Sequence, residues 1–226
     1  GGYIRFDEDE VEGRCLSYVP TQLRRALLDK KRTQALSTAR VIFVGGASMA
    51  ESLAEEVRKL KLPVMPVYGM TETAAMVAAI PVADFLTDSR VGALPIGETK
   101  IEIGSSGRIS IQSSSLFKGY HGGEPLDLAR GYLSGDAGYI DENERLHVTG
   151  RIDRLVISGG EKIDPCEVED VVSAIAGVEE VMALGLPDPE WGQKLVVYYT
   201  GQELVGWEER LKEQMVSYKL PKEMLR

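Results

Sequence analysis

The chain has 226 residues, enough for one large domain or one and a half smaller ones. Hydrophobic residues make up 43% and charged residues 27%, ordinary for a soluble globular protein, while the net charge of −9 argues against a nucleic-acid or anionic-membrane partner. Membrane insertion is not expected either, because no apolar run approaches the roughly 18 residues of a spanning helix.

In chain order, Val19 to Leu28 carries Leu23, Ala26 and Leu27 at helical spacing, with Thr21 as candidate N-cap and Pro20 just before the helix. Arg40 to Val44 is a short β-branched run that ends in Gly45-Gly46. Ala50 to Leu60 reads as a helix with Leu53, Ala54, Val57 and Leu60 on one face, and Pro63 to Tyr68 as a second strand followed by Gly69. Strand, glycine turn, helix, strand predicts a βαβ unit in a parallel sheet, whose ligands sit beyond the carboxyl ends of the strands.

From Val91 the texture changes. Lys100 to Ile103 and Arg108 to Gln112 alternate with period two around Gly104-Ser-Ser-Gly107, which predicts a hairpin. Tyr132 to Val148 predicts further short strands and turns, and a boundary falls near Arg151 to Asp153. Beyond it come a strand (155–157), a helix (165–175), two strands (178–186 and 194–200) and a closing helix (204–216). The expected fold class is therefore α/β and α+β. A parallel βαβ layer (1–90) and a small β-rich subdomain (91–150) form residues 1–150; a hinge then leads into a small α+β carboxyl-terminal domain, 151–226.

Tyr68-Gly-Met-Thr-Glu-Thr73 is the segment densest in chemistry. A tight glycine turn lets backbone amides approach a phosphate, threonine hydroxyls can bond its oxygens, and Glu72 offers a hard oxygen to Mg²⁺. The plainer reading is a strand, a turn and a helix capped by Thr71. Gly45-Gly46-Ala47-Ser48 falls at the same predicted sheet edge, or is simply a strand-to-helix turn capped by Ser48. Asp136, in Gly135-Asp136, can accept two hydrogen bonds from a ribose diol, or lies in an ordinary turn. Arg151 and Asp153 read as a surface ion pair at a domain join. Ser158-Gly159-Gly160 reads as a hairpin end, and Trp191 as the anchoring aromatic of a loop. The two cysteines, Cys15 and Cys166, lack CxxC partners, so neither a disulfide nor a metal framework is expected, and a reducing cytoplasm is the default. His121 and His147 stand apart from other ligand-type residues and read as solvated or satisfied.

Taken together, Tyr68-Gly-Met-Thr-Glu72, Gly135-Asp136, Gly150-Arg-Ile-Asp-Arg-Leu-Val-Ile-Ser-Gly-Gly160 and Pro165-Cys-Glu-Val-Glu169 resemble, in order and spacing, the core motifs of the adenylate-forming superfamily. Within it, Ser17 to Arg25 and Val44-Gly-Gly-Ala-Ser48 look most like the o-succinylbenzoate–CoA ligases of menaquinone and phylloquinone synthesis, while other aryl- and fatty-acyl-CoA synthetases carry similar segments.

The resemblance implies an ATP-dependent acid–CoA ligase that uses ATP, Mg²⁺ and CoA with a small carboxylic acid. It implies that Gly45, Gly46, Ala47, Tyr68, Gly69 and Met70 line the nucleotide and acyl pocket, with Tyr68 on the base. Thr71 would touch the α-phosphate and Glu72 would hold the metal, which makes these two the catalytic candidates. Asp136 and Arg151 would hold the ribose, and Asp153 would be the hinge. Gly159, Gly160 and Trp191 would lie on the CoA side. Another acyl-CoA synthetase, a carrier-protein-dependent adenylation domain and a non-catalytic nucleotide-binding module remain alternatives, and a homo-oligomer stays open. The family's upstream phosphate loop and its downstream catalytic lysine do not occur in these 226 residues, and Lys219 and Lys222 do not sit in the lysine's motif. The chain accordingly reads as a carboxyl-terminal fragment, expected not to adenylate by itself.

Overall fold

The computed structural model describes residues 11–226 apart from Ser89 and Ser105, and the backbone but not the side chain of Asp153. The opening at Gly1-Gly2-Tyr3, the hairpin-loop residue Ser105 and the hinge side chain of Asp153 thus lie outside the described residues.

The chain falls into two units. The first runs to Gly104 and takes in Ile109–Ser134 and Tyr139–His147; the second comprises Val148–Arg226 with Gly135–Gly138 and residues 105–108.

The first unit opens with strand β1 (Cys15–Tyr18), helices α1 (Pro20–Leu27) and α2 (Lys30–Leu36), strand β2 (Val41–Val44), helix α3 (Glu51–Lys59) and strand β3 (Val64–Met70). β1, β2 and β3 are parallel neighbours, with Tyr18 level with Val44 and Val44 level with Pro66. The βαβ layer is therefore present. α3 turns Leu53, Ala54 and Val57 onto a buried cluster with Leu23, Leu36, Ile42, Leu62 and Val64. Each large aliphatic residue in that cluster contributes about 1.5–3 kcal/mol by leaving water.

Two predicted caps are corrected. Pro20 is the first residue of α1, not the one before it, and Val19 occupies the cap position. Proline has no N–H to leave orphaned in a first turn, and Gln22 Oε1 accepts the Val19 N–H at 3.0 Å. Ser48 does not cap α3, whose cap position is Ala50 and carries no side-chain hydrogen bond. α2 was missed in the sequence although Asp29 caps it, accepting from the amides of Lys31 and Arg32.

The sheet then changes character. A single 3₁₀ turn (Thr71–Thr73) sends the chain back as β4 (Ala75–Ala79), antiparallel to β3; α4 (Val82–Thr87) and β5 (Leu94–Pro95) follow, giving the order β1-β2-β3-β4-β5. No helix capped by Thr71 follows the turn. The Thr73 hydroxyl accepts from Met70 N–H at 2.9 Å and lies 2.7 Å from the Ala75 carbonyl, while Ala74 adopts a left-handed φ of 53°. That conformation ends a helical turn.

β6 (Lys100–Ile103) and β7 (Arg108–Gln112) form the predicted hairpin, pairing Lys100 with Gln112 and Ile103 with Ile109. They belong to a sheet of order β6-β7-β8-β9, with β8 at Tyr132–Ile140 and β9 at Leu146–Arg151. Here the expected short strands and turns are corrected: β8 is nine residues long, and Gly135-Asp136 lies inside it. Its inward positions are Ser134, Asp136 and Gly138, so the alternation is real but carries no bulky apolar residue to reveal it.

The second unit holds β10 (Val156–Ser158), β11 (Glu161–Ile163), α5 (Pro165–Ser173), β12 (Val178–Asp188), β13 (Gly192–Gly201), α6 (Trp207–Lys212) and β14 (Glu223–Leu225). The sheet order is β11-β10-β13-β12, with β14 parallel to β13. Val168 and Val172 of α5 pack with Val156, Ile163, Ala183, Leu195, Val197 and Leu211. The closing helix is shorter than predicted, because Gly206, at φ 68°, sets its start just before Trp207.

Candidate functional site

Two groups of candidate residues take shape, one in each unit. In the first, the carboxyl ends of the parallel strands meet as the βαβ geometry requires. Gly45 follows β2, donates its N–H to the Tyr18 carbonyl at 3.2 Å, and lies so close to Val67 that a methyl group on it would sit 2.6 Å from Val67 Cγ2. Gly46 and Ala47 are exposed beyond it. The glycine loop and the Tyr68-Gly69 segment are thus neighbours.

Tyr68 and Met70 are half-buried against the cluster of Val77, Ala78, Ile109 and Ile111. Between Tyr68 and Gly69 the register slips, with Tyr68 opposite Ala78 and Gly69 opposite Met76. This bulge re-aims the strand just before the 3₁₀ turn. A Cβ on Gly69 would overlap the Ala75 carbonyl, so only glycine fits. Ala75 has a φ of 138°, a strained value for a residue with a side chain. Backbone strain of this kind, costing about 1–3 kcal/mol, persists where surroundings enforce it and clusters at functional turns.

The turn presents Thr71 exposed and Glu72 half-buried, with Thr73 buried beneath them. Glu72 is gripped twice. Its carbonyl accepts the Phe117 N–H at 2.8 Å, and its Oε1 accepts the Tyr120 hydroxyl at 2.7 Å. The Tyr120 oxygen is also 3.2 Å from that of Tyr132, and the Phe117 ring meets both tyrosine rings edge-on. Hydrogen bonding to Tyr132, then to Glu72, holds the Tyr120 phenol above its ordinary range. Phe117, Tyr120 and Tyr132 were not singled out in the sequence; the aromatic pair flanking Gly119 was the available signal.

Glu72 Oε2 has no hydrogen bond or ion pair among the described residues. No group of three His, Cys, Asp or Glu side chains among those residues is arranged to hold a metal. A divalent cation here would therefore need most of its oxygens from a ligand and from water. That suits Mg²⁺ carried by nucleotide phosphates, which characteristically takes one or two protein carboxylates.

The second group centres on Asp136, which is 9% exposed in the middle of β8. Arg151 Nη1, at the end of β9, stands 3.7 Å from Asp136 Oδ1, and the Arg151 side chain is half exposed. A buried carboxylate beside an exposed guanidinium offers paired acceptor and donor to a polar ligand.

Ile152–Arg154 form the 3₁₀ turn that carries the backbone of Asp153. Arg154 fixes that turn: its Nη2 lies 2.6 Å from Glu169 Oε1 on α5, and the same oxygen accepts the buried Ala183 N–H at 2.8 Å. Glu169, part of the Pro165–Glu169 motif, thus ties the turn to helix and sheet.

Gly159 and Gly160, at φ 58° and 87°, make the tight turn between β10 and β11. The Gly159 N–H donates to the Trp191 carbonyl at 2.9 Å, and a Cβ on Gly159 would sit 2.9 Å from the indole. Lys222 Nζ stands 3.9 Å from the centre of the same ring. The glycine turn and Trp191 are therefore one structure. Lys219 pairs with Glu167 on α5. His147 is satisfied, its Nε2 2.9 Å from Asp141 Oδ2 and its ring stacked on Tyr139.

Residues 9–121 match the family described as AMP-binding enzyme, and residues 167–225 match the AMP-binding enzyme C-terminal domain. The chain belongs to the AMP-binding enzyme family. Among relatives of this AMP-binding chain, the 2-succinylbenzoate–CoA ligase of Lactococcus lactis subsp. lactis is 32% identical over 96% of the chain and 50% of its own length. A feruloyl-CoA synthase from an Amycolatopsis species is 33% identical, over 90% of the chain and 46% of its own length.

The o-succinylbenzoate CoA synthetase of Bacillus subtilis, solved with its acyl-adenylate intermediate OSB-AMP, superposes with a TM-score of 0.82 at 28% identity, covering 94% of this chain and 47% of that one. The same enzyme with ATP and magnesium gives 0.81 at 28% identity, with the same coverage. The chain spans about half the length of the curated relatives it matches.

Proposed function

We propose that this AMP-binding chain belongs to an ATP-dependent acid–CoA ligase whose acid is o-succinylbenzoate, serving menaquinone or phylloquinone synthesis. The observation that carries the reading is the likeness to the Bacillus subtilis synthetase, together with the Glu72 turn and the Asp136–Arg151 pair at the motif positions.

In this reading a carboxylate oxygen of the acid attacks the α-phosphorus of ATP, the bond to pyrophosphate breaks, and an acyl-adenylate forms. The sulfur of CoA then attacks the acyl carbon, and AMP leaves with the electron pair of the mixed anhydride. Mg²⁺, when bound, neutralises phosphate charge as pyrophosphate departs.

The chain's own residues position and neutralise, as such a transfer requires. Gly45, Gly46, Ala47, Tyr68, Gly69 and Met70 line the nucleotide, with Tyr68 against the base. Thr71 donates to the α-phosphate and Glu72 offers its carboxylate to the metal. Asp136 accepts the ribose hydroxyls and Arg151 donates from the other side. Asp153 serves as the pivot between the two half-reactions, and the small Gly159-Gly160 turn with Trp191 borders the path of the CoA thiol.

An ATP–pyrophosphate exchange assay on the intact protein tests this. Exchange dependent on o-succinylbenzoate is expected, and its absence with that acid would overturn the specificity. The 33% identity to a feruloyl-CoA synthase supports a second reading, an enzyme for hydroxycinnamates or another aryl acid; exchange with ferulate alone would decide for it. No exchange with any acid would favour a non-catalytic nucleotide-binding module. We also place the protein in the cytoplasm, supported by two cysteines that are unpaired among the described residues. Cell fractionation tests that placement, and sizing by light scattering decides whether the protein is a homo-oligomer.

A further inference from the structure

We propose that Tyr120 is a positioning residue for Glu72, selecting which carboxylate oxygen meets a magnesium–nucleotide complex; this rests on the metal role given to Glu72 above. The two residues are 48 positions apart, yet the segment carrying Tyr120 holds Glu72 at both ends. The Phe117 N–H donates to the Glu72 carbonyl at 2.8 Å and the Tyr120 hydroxyl donates to Oε1 at 2.7 Å.

A carboxylate on a two-bond stem can rotate about its terminal torsion, which is broad. A phenol fixed to one oxygen removes that freedom and leaves Oε2 as the outward ligand. The phenol is itself oriented, with Tyr132 oxygen at 3.2 Å and the Phe117 ring edge-on at 4.8 Å between centroids. Partners of this kind, behind a metal ligand, typically change metal affinity or activity by about 10–100-fold when removed.

The test compares wild type, Tyr120→Phe, Tyr132→Phe and Glu72→Gln in the intact protein. Calorimetric titration measures ATP binding with saturating Mg²⁺ and with EDTA, and exchange assays measure the Mg²⁺ concentration for half-maximal rate at saturating ATP. Tyr120→Phe is expected to raise that Mg²⁺ concentration about 10-fold and to weaken Mg–ATP binding while leaving metal-free ATP binding unchanged. Tyr132→Phe, which keeps the Tyr120–Glu72 bond, is expected to shift it less.

Equal weakening with and without Mg²⁺ would show a merely structural tyrosine and overturn the inference. So would a normal Mg²⁺ dependence in Tyr120→Phe beside an altered one in Glu72→Gln. If Glu72→Gln itself keeps the normal Mg²⁺ dependence, the metal role of Glu72 fails and this inference fails with it.

Discussion

Gly69 and Ala75 approach so closely that a methyl group on the glycine would overlap the carbonyl oxygen of the alanine. The contact is backbone against backbone, so no rotamer change can relieve it. Gly69→Ala is expected to destabilise the first unit by about 3 kcal/mol, the upper end for forced overpacking, with a lower urea midpoint at unchanged slope. Ala75→Gly is the converse probe. It releases the φ of 138° and is expected to raise stability by about 1 kcal/mol. A neutral Gly69→Ala would show that the bulge is looser than described.

Asp136 is expected to read the sugar. Asp136→Asn should weaken ATP binding about 10-fold, within the range for losing hydrogen bonds to a charged acceptor. The sharper measurement is the preference for ATP over 2′,3′-dideoxy-ATP in competition titrations. Wild type should show that preference and Asp136→Asn should lose most of it. An undiminished preference in the variant would remove Asp136 from the ribose.

Much of the first unit was legible in the residues themselves. Val41 to Val44 is β-branched and apolar, and Leu53, Ala54 and Val57 repeat at helical spacing, so strand and helix periods separate cleanly. Glu72 was legible because a turn rich in small and hydroxyl residues brackets an acid. The Tyr120 contact was not, because nothing local to either residue encodes a pairing made across 48 positions. β8 was misread for a different reason: Asp136 and Gly138 occupy inward positions that usually hold apolar residues, and polar residues with glycines signal a turn. The Arg154–Glu169 tie was not legible either, because the Ala183 amide that shares the carboxylate oxygen lies 14 positions further along the chain.

Glu169→Ala is expected to destabilise the second unit by about 2–3 kcal/mol, since it strands a buried amide as well as a guanidinium. Glu169→Gln keeps one acceptor and should cost about half as much. Differential scanning calorimetry checks both. Equal, negligible effects would mean that the Arg154 tie contributes only what an exposed ion pair does.

The two cysteines should differ in reactivity. Burial, and then the neighbouring Asp164, push the Cys166 thiol up to about 11, whereas Cys15 is exposed. At pH 8 about one Cys166 in 1,000 is then thiolate, since each pH unit below the pKa is a tenfold loss. Maleimide labelling followed by peptide mass spectrometry should therefore modify Cys15 first. Labelling at Cys166 should climb as pH rises from 8 toward 11. Comparable rates at pH 8 would contradict the described burial.

Trp191 and Trp207, the two tryptophans of this chain, both belong to the second unit, and Lys222 holds its ammonium 3.9 Å from the centre of the Trp191 ring. A cation that near perturbs the electronic states of indole. The chain's tryptophan fluorescence is thus a built-in optical reporter confined to the second unit. Whatever lifts Lys222 away or slides between it and the ring will announce itself as a change in emission colour, with no dye attached.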